Sequence, residues 1–167
     1  RVWDADTGAC LAVFQGYTHV VAQLQLYNDV LASGSGDGRV IVFSLKTFEC
    51  LYRLCAHDSS VSTLQMNDKF LVTGGADGLV KVWRVADAEL VASFDAKAHA
   101  ANKVDAQQVG VVWAQPGVVA SIGLEGVLYV LDVDPAAGTL QLRAPLVGPT
   151  KGVSSLVYAA QTDMVGV

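Results

Sequence analysis

The sequence predicts an all-β fold made of repeated four-stranded units. Two segments, 16–55 and 56–95, superimpose without a gap at a spacing of 40 residues. Each contains short apolar runs separated by Gly, Asp and Asn turn signals. Apolar residues form 52% of the chain, with 16 Gly and only 4 Pro. This composition suits many short strands joined by tight turns around a sizeable core.

The repeat organises the whole chain. Its clearest matches pair the following residues of the second and third units: Val21 with Val61, Leu24 with Leu64, Gly34 with Gly74, Asp37 with Asp77 and Val42 with Val82. Residues 1–15 align with the end of the second unit, a fourth unit covers 104–144, and residues 148–167 open a fifth. An inserted loop at 95–105 separates the third and fourth units. We therefore predict three complete units and two partial ones within a single domain, 1–167.

Each unit is expected to form four short strands. In the third unit these strands are predicted at Val61–Met66, Phe70–Thr73, Leu79–Arg84 and Glu89–Phe94. Four antiparallel strands make a sheet with two apolar faces, and radial stacking of such sheets buries both faces while protecting the edges. The sequence therefore predicts the blades of a β-propeller.

The third unit resembles a WD40 repeat. It has Ala56-His57 near its start, Thr73-Gly74 before an Asp77-Gly78 turn, and Trp83 at the end of its third strand. Equivalent positions in the other units hold Trp3-Asp4, Phe43-Ser44 and Leu131-Asp132. The resemblance implies an open arc of about four blades, three complete and two partial, from a propeller of seven or eight blades.

The same resemblance implies a structural hydrogen-bond tetrad formed by His57, Thr73, Asp77 and Trp83. A histidine, a hydroxyl and a carboxylate would also suit a hydrolase, but Thr73 lies within a predicted strand and no G-x-S-x-G turn accompanies it. We therefore predict no catalytic residue and no enzymatic activity.

The second and fourth units keep only parts of this tetrad. The equivalent residues are Tyr17, Ser33, Asp37 and Phe43 in the second unit and Asp105, Ser121, Glu125 and Leu131 in the fourth. Because Phe43 and Leu131 lack an indole donor, these blades are expected to depend more on apolar packing.

The remaining chemical patterns favour turns over ligand sites. The Ser33–Gly38 segment lacks G-x-G-x-x-G spacing, and Asp132 with Asp134 lack the rest of a calcium loop. The scattered His19, His57 and His99 form no zinc ligand set. The sequence predicts no cofactor and no metal.

Charge and cysteine usage indicate which kinds of partner and which cellular compartment to expect. The net charge is −5 and the pI about 4.9, without a Lys/Arg cluster, which disfavours nucleic acid as a partner. The uncharged stretch Ala106–Leu124 is interrupted by Gln residues and Pro116-Gly117, so it predicts two strands and no membrane span. Cys10, Cys50 and Cys55 form no C-x-x-C pair, a usage typical of reduced thiols in the cytoplasm or nucleus.

The inserted loop 95–105 is longer than the connection that the repeat requires. In WD propellers such connections lie on a face where partners dock, so Lys97, His99 and Lys103 are candidate partner-binding residues. A surface loop without a ligand is the alternative.

Two further resemblances concern function. Residues 20–94 resemble F-box/WD proteins, the substrate receptors of ubiquitin ligases, and residues 105–132 resemble actin-interacting WD proteins. Those receptors hold phosphopeptides with arginines, but the matching positions here carry none: Ala22, Gly36, Ser62, Ala76, Gly110 and Leu124.

The expected function is a non-catalytic protein-interaction scaffold, either in a ubiquitin ligase or in the cytoskeleton (actin-interacting or axonemal). Its partners would be other proteins and the rest of its own propeller or a larger complex.

Overall fold

The computed structural model describes residues 1–100, 106–147, 157–159 and 164–166. Apart from one short 3-10 helix, Ala96–Ala98, the regular elements in these residues are β-strands. They form three four-stranded antiparallel sheets and two two-stranded sheets, in chain order. The predicted all-β fold is confirmed, with four-stranded antiparallel sheets like the blades of a propeller.

Each sheet is built from strands that follow one another in the sequence. The first sheet contains β1 (Val2–Trp3) and β2 (Cys10–Ala12). The second contains β3 (Val21–Tyr27), β4 (Val30–Ser35), β5 (Arg39–Ser44) and β6 (Cys50–Cys55). The third contains β7 (Val61–Met66), β8 (Phe70–Gly75), β9 (Leu79–Arg84) and β10 (Leu90–Asp95). The fourth contains β11 (Gln108–Gln115), β12 (Val118–Gly123), β13 (Val127–Asp134) and β14 (Thr139–Val147). The fifth contains β15 (Val157–Ala159) and β16 (Met164–Gly166).

The predicted strands of the third blade lie within two residues of the observed ones. The largest differences are at the end of β8, which extends to Gly75, and at the start of β10. The N–H of Arg84 donates to the carbonyl of Glu89 at 2.8 Å. This bond holds Glu89 in the turn, so the fourth strand begins one residue later than predicted.

The uncharged stretch Ala106–Leu124 forms β11 and β12, as predicted. Pro116 and Gly117 make the turn between them, with Gly117 at a φ of 78°. Within the described parts of the chain, no helix has the length and apolar character needed to cross a membrane.

Neighbouring blades are joined by apolar packing at glycines. A Cβ at Gly34 in β4 would lie 2.7 Å from Val61 Cγ1 and 2.9 Å from Leu64 Cδ2 of the next blade. Val61 and Leu64 are both buried. The first strands of the third and fourth blades therefore pack closely against the preceding blade, and Gly34 and Gly74 make this approach possible.

A tight turn between the second and third strands recurs in each complete blade. Its last residues, Gly38, Gly78 and Gly126, have φ values of 78°, 81° and 81°. The carbonyl of Gly38 accepts hydrogen bonds from the N–H groups of both Ala56 and His57 at 3.0 Å. The turn thus fixes the point at which the chain enters the following blade.

We expect Gly38→Ala to be far more destabilising than Gly117→Ala. Both glycines have a φ of 78°, so both substitutions meet similar backbone strain, about 1 kcal/mol. A Cβ at Gly38 would lie 2.0 Å from the carbonyl oxygen of His57, whereas the nearest such atom at Gly117 is 3.8 Å away. The clash should add about 1–3 kcal/mol to the loss. Urea denaturation of the two variants measures the difference, and equal losses would contradict the turn geometry.

Candidate functional site: the third-blade tetrad and the adjoining loop

The four tetrad residues come together inside the third blade. His57 precedes β7, Thr73 lies in β8, Asp77 lies in the β8–β9 turn, and Trp83 lies near the end of β9. His57 Nδ1 is 3.0 Å from Asp77 Oδ1, and His57 Nε2 is 2.9 Å from Thr73 Oγ1. The indole N–H of Trp83 donates to Thr73 Oγ1 at 3.1 Å. One continuous chain of hydrogen bonds therefore joins two strands, the β8–β9 turn and the segment that precedes β7.

The chemistry of the groups sets the direction of these bonds. An ionised carboxylate only accepts, so the Nδ1–H of His57 donates to Asp77. His57 Nε2 then accepts from the Thr73 hydroxyl, whose oxygen in turn accepts from Trp83. Each buried member has a partner, which is the condition under which such a network stabilises a fold.

This arrangement does not suit nucleophilic catalysis. Thr73 is 0% exposed, and its hydroxyl proton is used in the bond to His57. A substrate carbonyl therefore has no path to the oxygen. The geometry supports a role in holding the strands and the turn in place.

Asp77 links the buried network to the surface turn. Its oxygens accept from the N–H of Leu79 at 3.1 Å and from the N–H of Asp58 at 3.2 Å. Partial burial opposes ionisation of Asp77, but these bonds and the one from His57 outweigh it and lower the pKa of Asp77.

Gly75 is a site residue that the sequence analysis did not single out. A Cβ there would lie 2.4 Å from both His57 Nδ1 and Asp77 Oδ1. The histidine and the carboxylate can meet only because this position carries no side chain. The Gly74-Gly75 pair before the turn was the sequence feature that could have indicated this close contact.

The second blade replaces the tetrad with a different polar network. The hydroxyl of Tyr17 bonds with Ser33 Oγ at 2.6 Å and accepts from the N–H of Ile41 at 2.9 Å. Phe43 packs against the ring of Phe14, with centroids 4.0 Å apart. The second blade therefore uses the expected apolar packing, but it also keeps a polar connection between its strands, which Tyr17 provides.

The fourth blade also keeps buried polar bonds. The Ser121 hydroxyl donates to Gln108 Oε1, and the Tyr129 hydroxyl donates to Glu125 Oε1 at 2.9 Å. Burial, followed by the bond to Glu125, raises the pKa of Tyr129. Asp105 lies outside the described residues. Gln108 and Tyr129 were not expected here, because they occupy positions that have no role in the third-blade tetrad.

The loop that follows the third blade starts on the tetrad-bearing turn. The N–H of Ala96 donates to the carbonyl of Gly78 at 3.0 Å, and Asp95 Oδ1 accepts from the N–H of Lys97 at 2.9 Å. The Lys97 stem packs on Gly78, where a Cβ would lie 3.0 Å from Lys97 Cγ and Cε. The exposed His99 stacks on Phe94 at 5.1 Å. Lys103 lies outside the described residues.

A groove of about 650 Å³ separates the third and fourth blades near their first hairpin turns. Asn67–Phe70, Trp113–Gly117, Val133 and Pro135 line it. The rings of Phe70 and Trp113 lie 5.9 Å apart. The sequence analysis missed this groove, although an aromatic residue near a hairpin turn in each of two consecutive units was a signal for it.

Comparison with known proteins finds a family similarity in the second and third blades. The family described as WD domain, G-beta repeat matches residues 48–84. A 67-residue stretch of the chain is 34% identical to the F-box/WD repeat-containing protein sel-10 of Caenorhabditis elegans. Residues 48–84 are therefore similar to a WD40 repeat, and the match to sel-10 supports the same family resemblance. The match to sel-10 covers 38% of this chain and 11% of that protein.

Solved structures similar to this chain include two computationally designed, propeller-like proteins. It matches Ika8 with a TM-score of 0.80 and 25% identity, over 94% of this chain and 46% of Ika8. It matches Ika4 with a TM-score of 0.78 and 23% identity, over 96% of this chain and 97% of Ika4. The second likeness shows the fold alone.

We expect His57→Ala to lower the free energy of unfolding by about 1–3 kcal/mol, because it removes the buried imidazole that bonds to both Thr73 and Asp77 and leaves a cavity between them. Thermal and urea denaturation measure the loss. His19→Ala, at an exposed histidine, is the control and should change stability by no more than about 0.5 kcal/mol. Equal effects of the two substitutions would contradict the structural role of the WD40 tetrad.

We also expect stability to fall at acid pH partly through Asp37. Desolvation opposes its ionisation, but the N–H and hydroxyl of Thr18 and the N–H of Arg39 outweigh it and lower the pKa of Asp37 from 3.8 to about 2. This stabilisation is present above the ordinary pKa and disappears as the pH falls through the folded value. Asp37→Asn should therefore flatten the acid limb of a stability–pH curve below pH 3.8.

The control for the acid titration is Asp68→Asn, which removes an exposed carboxylate from a hairpin turn. It has the same change in net charge without the turn bonds of Asp37. An acid limb that is equally steep for the wild-type chain and for Asp37→Asn would show that Asp37 does not contribute.

Proposed function

We propose that the chain is a non-catalytic protein-interaction scaffold that binds an acidic surface of a partner through loop 95–105. The observation that carries this proposal is the attachment of the loop to the third-blade turn. Ala96 bonds to Gly78, and Lys97 packs on the same glycine. The turn is itself held by Asp77 and the buried network. The loop therefore starts from a fixed position, which reduces the ordering cost of binding.

The described part of the loop presents cationic and aromatic chemistry. The Asp95 carboxylate is engaged with the N–H of Lys97, and His99 is exposed on the face of Phe94. Lys103 would add a second fixed positive charge. A partner with clustered Asp or Glu side chains would complement Lys97 and Lys103 through short-range ion pairs, since the loop also carries Asp95 and Asp105 and the chain has a net charge of −5.

The turns beside the loop are uncharged at the positions where F-box/WD receptors carry arginines. Gly36, Ala76 and Leu124 occupy these turns, and their N–H groups bond to carbonyls at the start of each blade. These positions offer no cation to a phosphate. We therefore assign recognition to the loop and not to a phosphopeptide pocket.

The resemblance to sel-10 supports a more specific role as the substrate-receptor part of a ubiquitin ligase. That role requires an F-box in the same polypeptide, and a transcript that encodes none outside residues 1–167 would contradict it. Residues 105–132 support the cytoskeletal alternative through one repeat unit, so we rank it second. Co-sedimentation with actin filaments tests that alternative.

We expect the double variant Lys97→Glu, Lys103→Glu to weaken partner binding. The partner is first identified as a protein that cross-links to residues 95–105 of the wild-type chain. Charge reversal should slow its association by about ten-fold at low salt and reduce the salt dependence of the rate. Surface plasmon resonance with the purified partner at two salt concentrations measures both effects.

The matched control is Lys46→Glu, Lys69→Glu. Both lysines are exposed and lie in turns at the other end of the strands. This variant has the same net charge change without altering the loop. Association rates that fall equally in both variants would show a general charge effect, and unchanged rates in the loop variant would contradict the proposed site.

A further inference from the structure

Two arginines of the second blade lie close together without an acidic partner. Arg39 is in β5 and Arg53 is in β6. Arg39 lies directly opposite Cys55, two residues after Arg53, so the two arginines are diagonal neighbours on one face of the sheet. Within the described residues neither arginine forms an ion pair, whereas Arg84 and Arg143 each bond to a carboxylate. Two cations are thus left together in a chain whose net charge is −5.

Both arginines line one pocket of about 150 Å³. This volume is far smaller than that of the groove of about 650 Å³ beside Trp113, so the pocket suits a single small group. The described residues that line it are Gly16, Arg39, Ile41, Arg53, Leu54 and Cys55. The two guanidinium groups are the only charged groups among them. The pocket therefore favours an anion.

The connection between the first two blades supports the guanidinium of Arg53. A Cβ at Gly16 would collide with Arg53 Nη1 and would lie 2.9 Å from Ile41 Cδ1. The guanidinium therefore rests on the backbone of Gly16, next to Ile41, which lies opposite Arg53 in the sheet. A cation held in this way loses less conformational entropy on binding than a side chain that moves freely in solvent.

The backbone of Arg39 is fixed by the neighbouring turn. Its N–H donates to Asp37 Oδ1 at 3.2 Å. Asp37 Oδ2 accepts from the N–H and the hydroxyl of Thr18 at 3.1 Å and 2.9 Å. The carboxylate nearest to Arg39 in the sequence is therefore engaged in the turn. More distant carboxylates are screened at physiological ionic strength, where the Debye length is about 8 Å, so an anion in the pocket meets mainly the field of the two arginines.

The outer strand of a blade stays open at these positions when a complete blade precedes it. Arg53 and Cys55 align with Ser93 and Asp95 at the spacing of 40 residues. The third blade follows the complete second blade, and Ser93 and Asp95 are nevertheless exposed. The accessibility of Arg53 and Cys55 is therefore a property of the fourth strand of a blade.

We propose that Arg39 and Arg53 bind a phosphate monoester. A guanidinium offers N–H donors in a planar fork that matches the oxygens of a phosphate. A phosphate monoester carries a charge of about −1.5 to −2 at pH 7, which two guanidinium groups balance, whereas a single carboxylate would leave one arginine without a partner.

This site is additional to the partner-binding loop 95–105. It also differs from the turn positions Gly36, Ala76 and Leu124, because its cations come from the third and fourth strands of one blade. The phosphate can belong to a free small molecule or to a phosphorylated side chain, since both present the same group.

Titration of the 167-residue chain with inorganic phosphate tests the site. We expect calorimetry to give a dissociation constant of about 1 mM or tighter, and the side-chain N–H signals of Arg39 and Arg53 to shift in ¹H–¹⁵N NMR spectra. Arg39→Gln and Arg53→Gln should each weaken binding about ten-fold, because each removes charge-assisted hydrogen bonds. Arg84→Gln, which has the same loss of charge outside the pocket, is the control and should bind phosphate as the wild-type chain does.

A phosphoserine peptide and its unphosphorylated form identify the source of the phosphate. Tighter binding of the phosphopeptide than of inorganic phosphate indicates a phosphorylated protein, and equal binding indicates a small phosphate ester. The proposal is overturned if neither probe binds, or if folded Arg39→Gln and Arg53→Gln bind phosphate as tightly as the control. Circular dichroism shows whether each variant is folded. If one is not, the arginine signals of the wild-type chain decide, and signals that stay in place during the titration overturn the proposal.

Discussion

A four-stranded sheet with two apolar faces must be covered on both of them, and this constraint governs the molecule. No blade can meet it alone. Val61 and Leu64 are buried only because the second blade lies in front of them, and Gly34 lets the two sheets approach closely. The same residue types become exposed in β3, where the described residues provide no cover. Stability is therefore a property of neighbouring blades, as expected for a repeat protein.

The polar networks add a second level of order within each blade. In the third blade, the bonds of Trp83, Thr73, His57 and Asp77 run from the third strand to the surface turn. The second blade reaches a similar result with Tyr17, and the fourth with Ser121 and Gln108. Each blade thus keeps a buried link between strands while its side chains differ. In each of these networks the buried hydroxyl finds a partner.

The strands and the third-blade tetrad could be predicted because both follow a period. A spacing of 40 residues places Leu64 where Leu24 lies, and the family pattern names the four tetrad residues. The substitute networks could not be predicted in this way, since Gln108 and Tyr129 are not at tetrad positions. Their roles depend on which side chains meet across a sheet. The stacking of His99 on Phe94 and the groove beside Trp113 are also products of packing between elements and leave no periodic signal.

In the third blade, the network that stabilises the strands also supports the loop that is proposed to bind a partner. Asp77 is fixed by His57 and accepts from the N–H of Leu79, which holds the turn containing Gly78. The carbonyl of Gly78 then accepts from Ala96, and the stem of Lys97 lies over the same residue. Rigid support of this kind reduces the conformational entropy lost when a partner binds. A loop of the same composition attached to a mobile turn would present the same charges in many positions. The buried tetrad therefore fixes the point at which the proposed binding loop starts, although none of its four side chains needs to contact a partner.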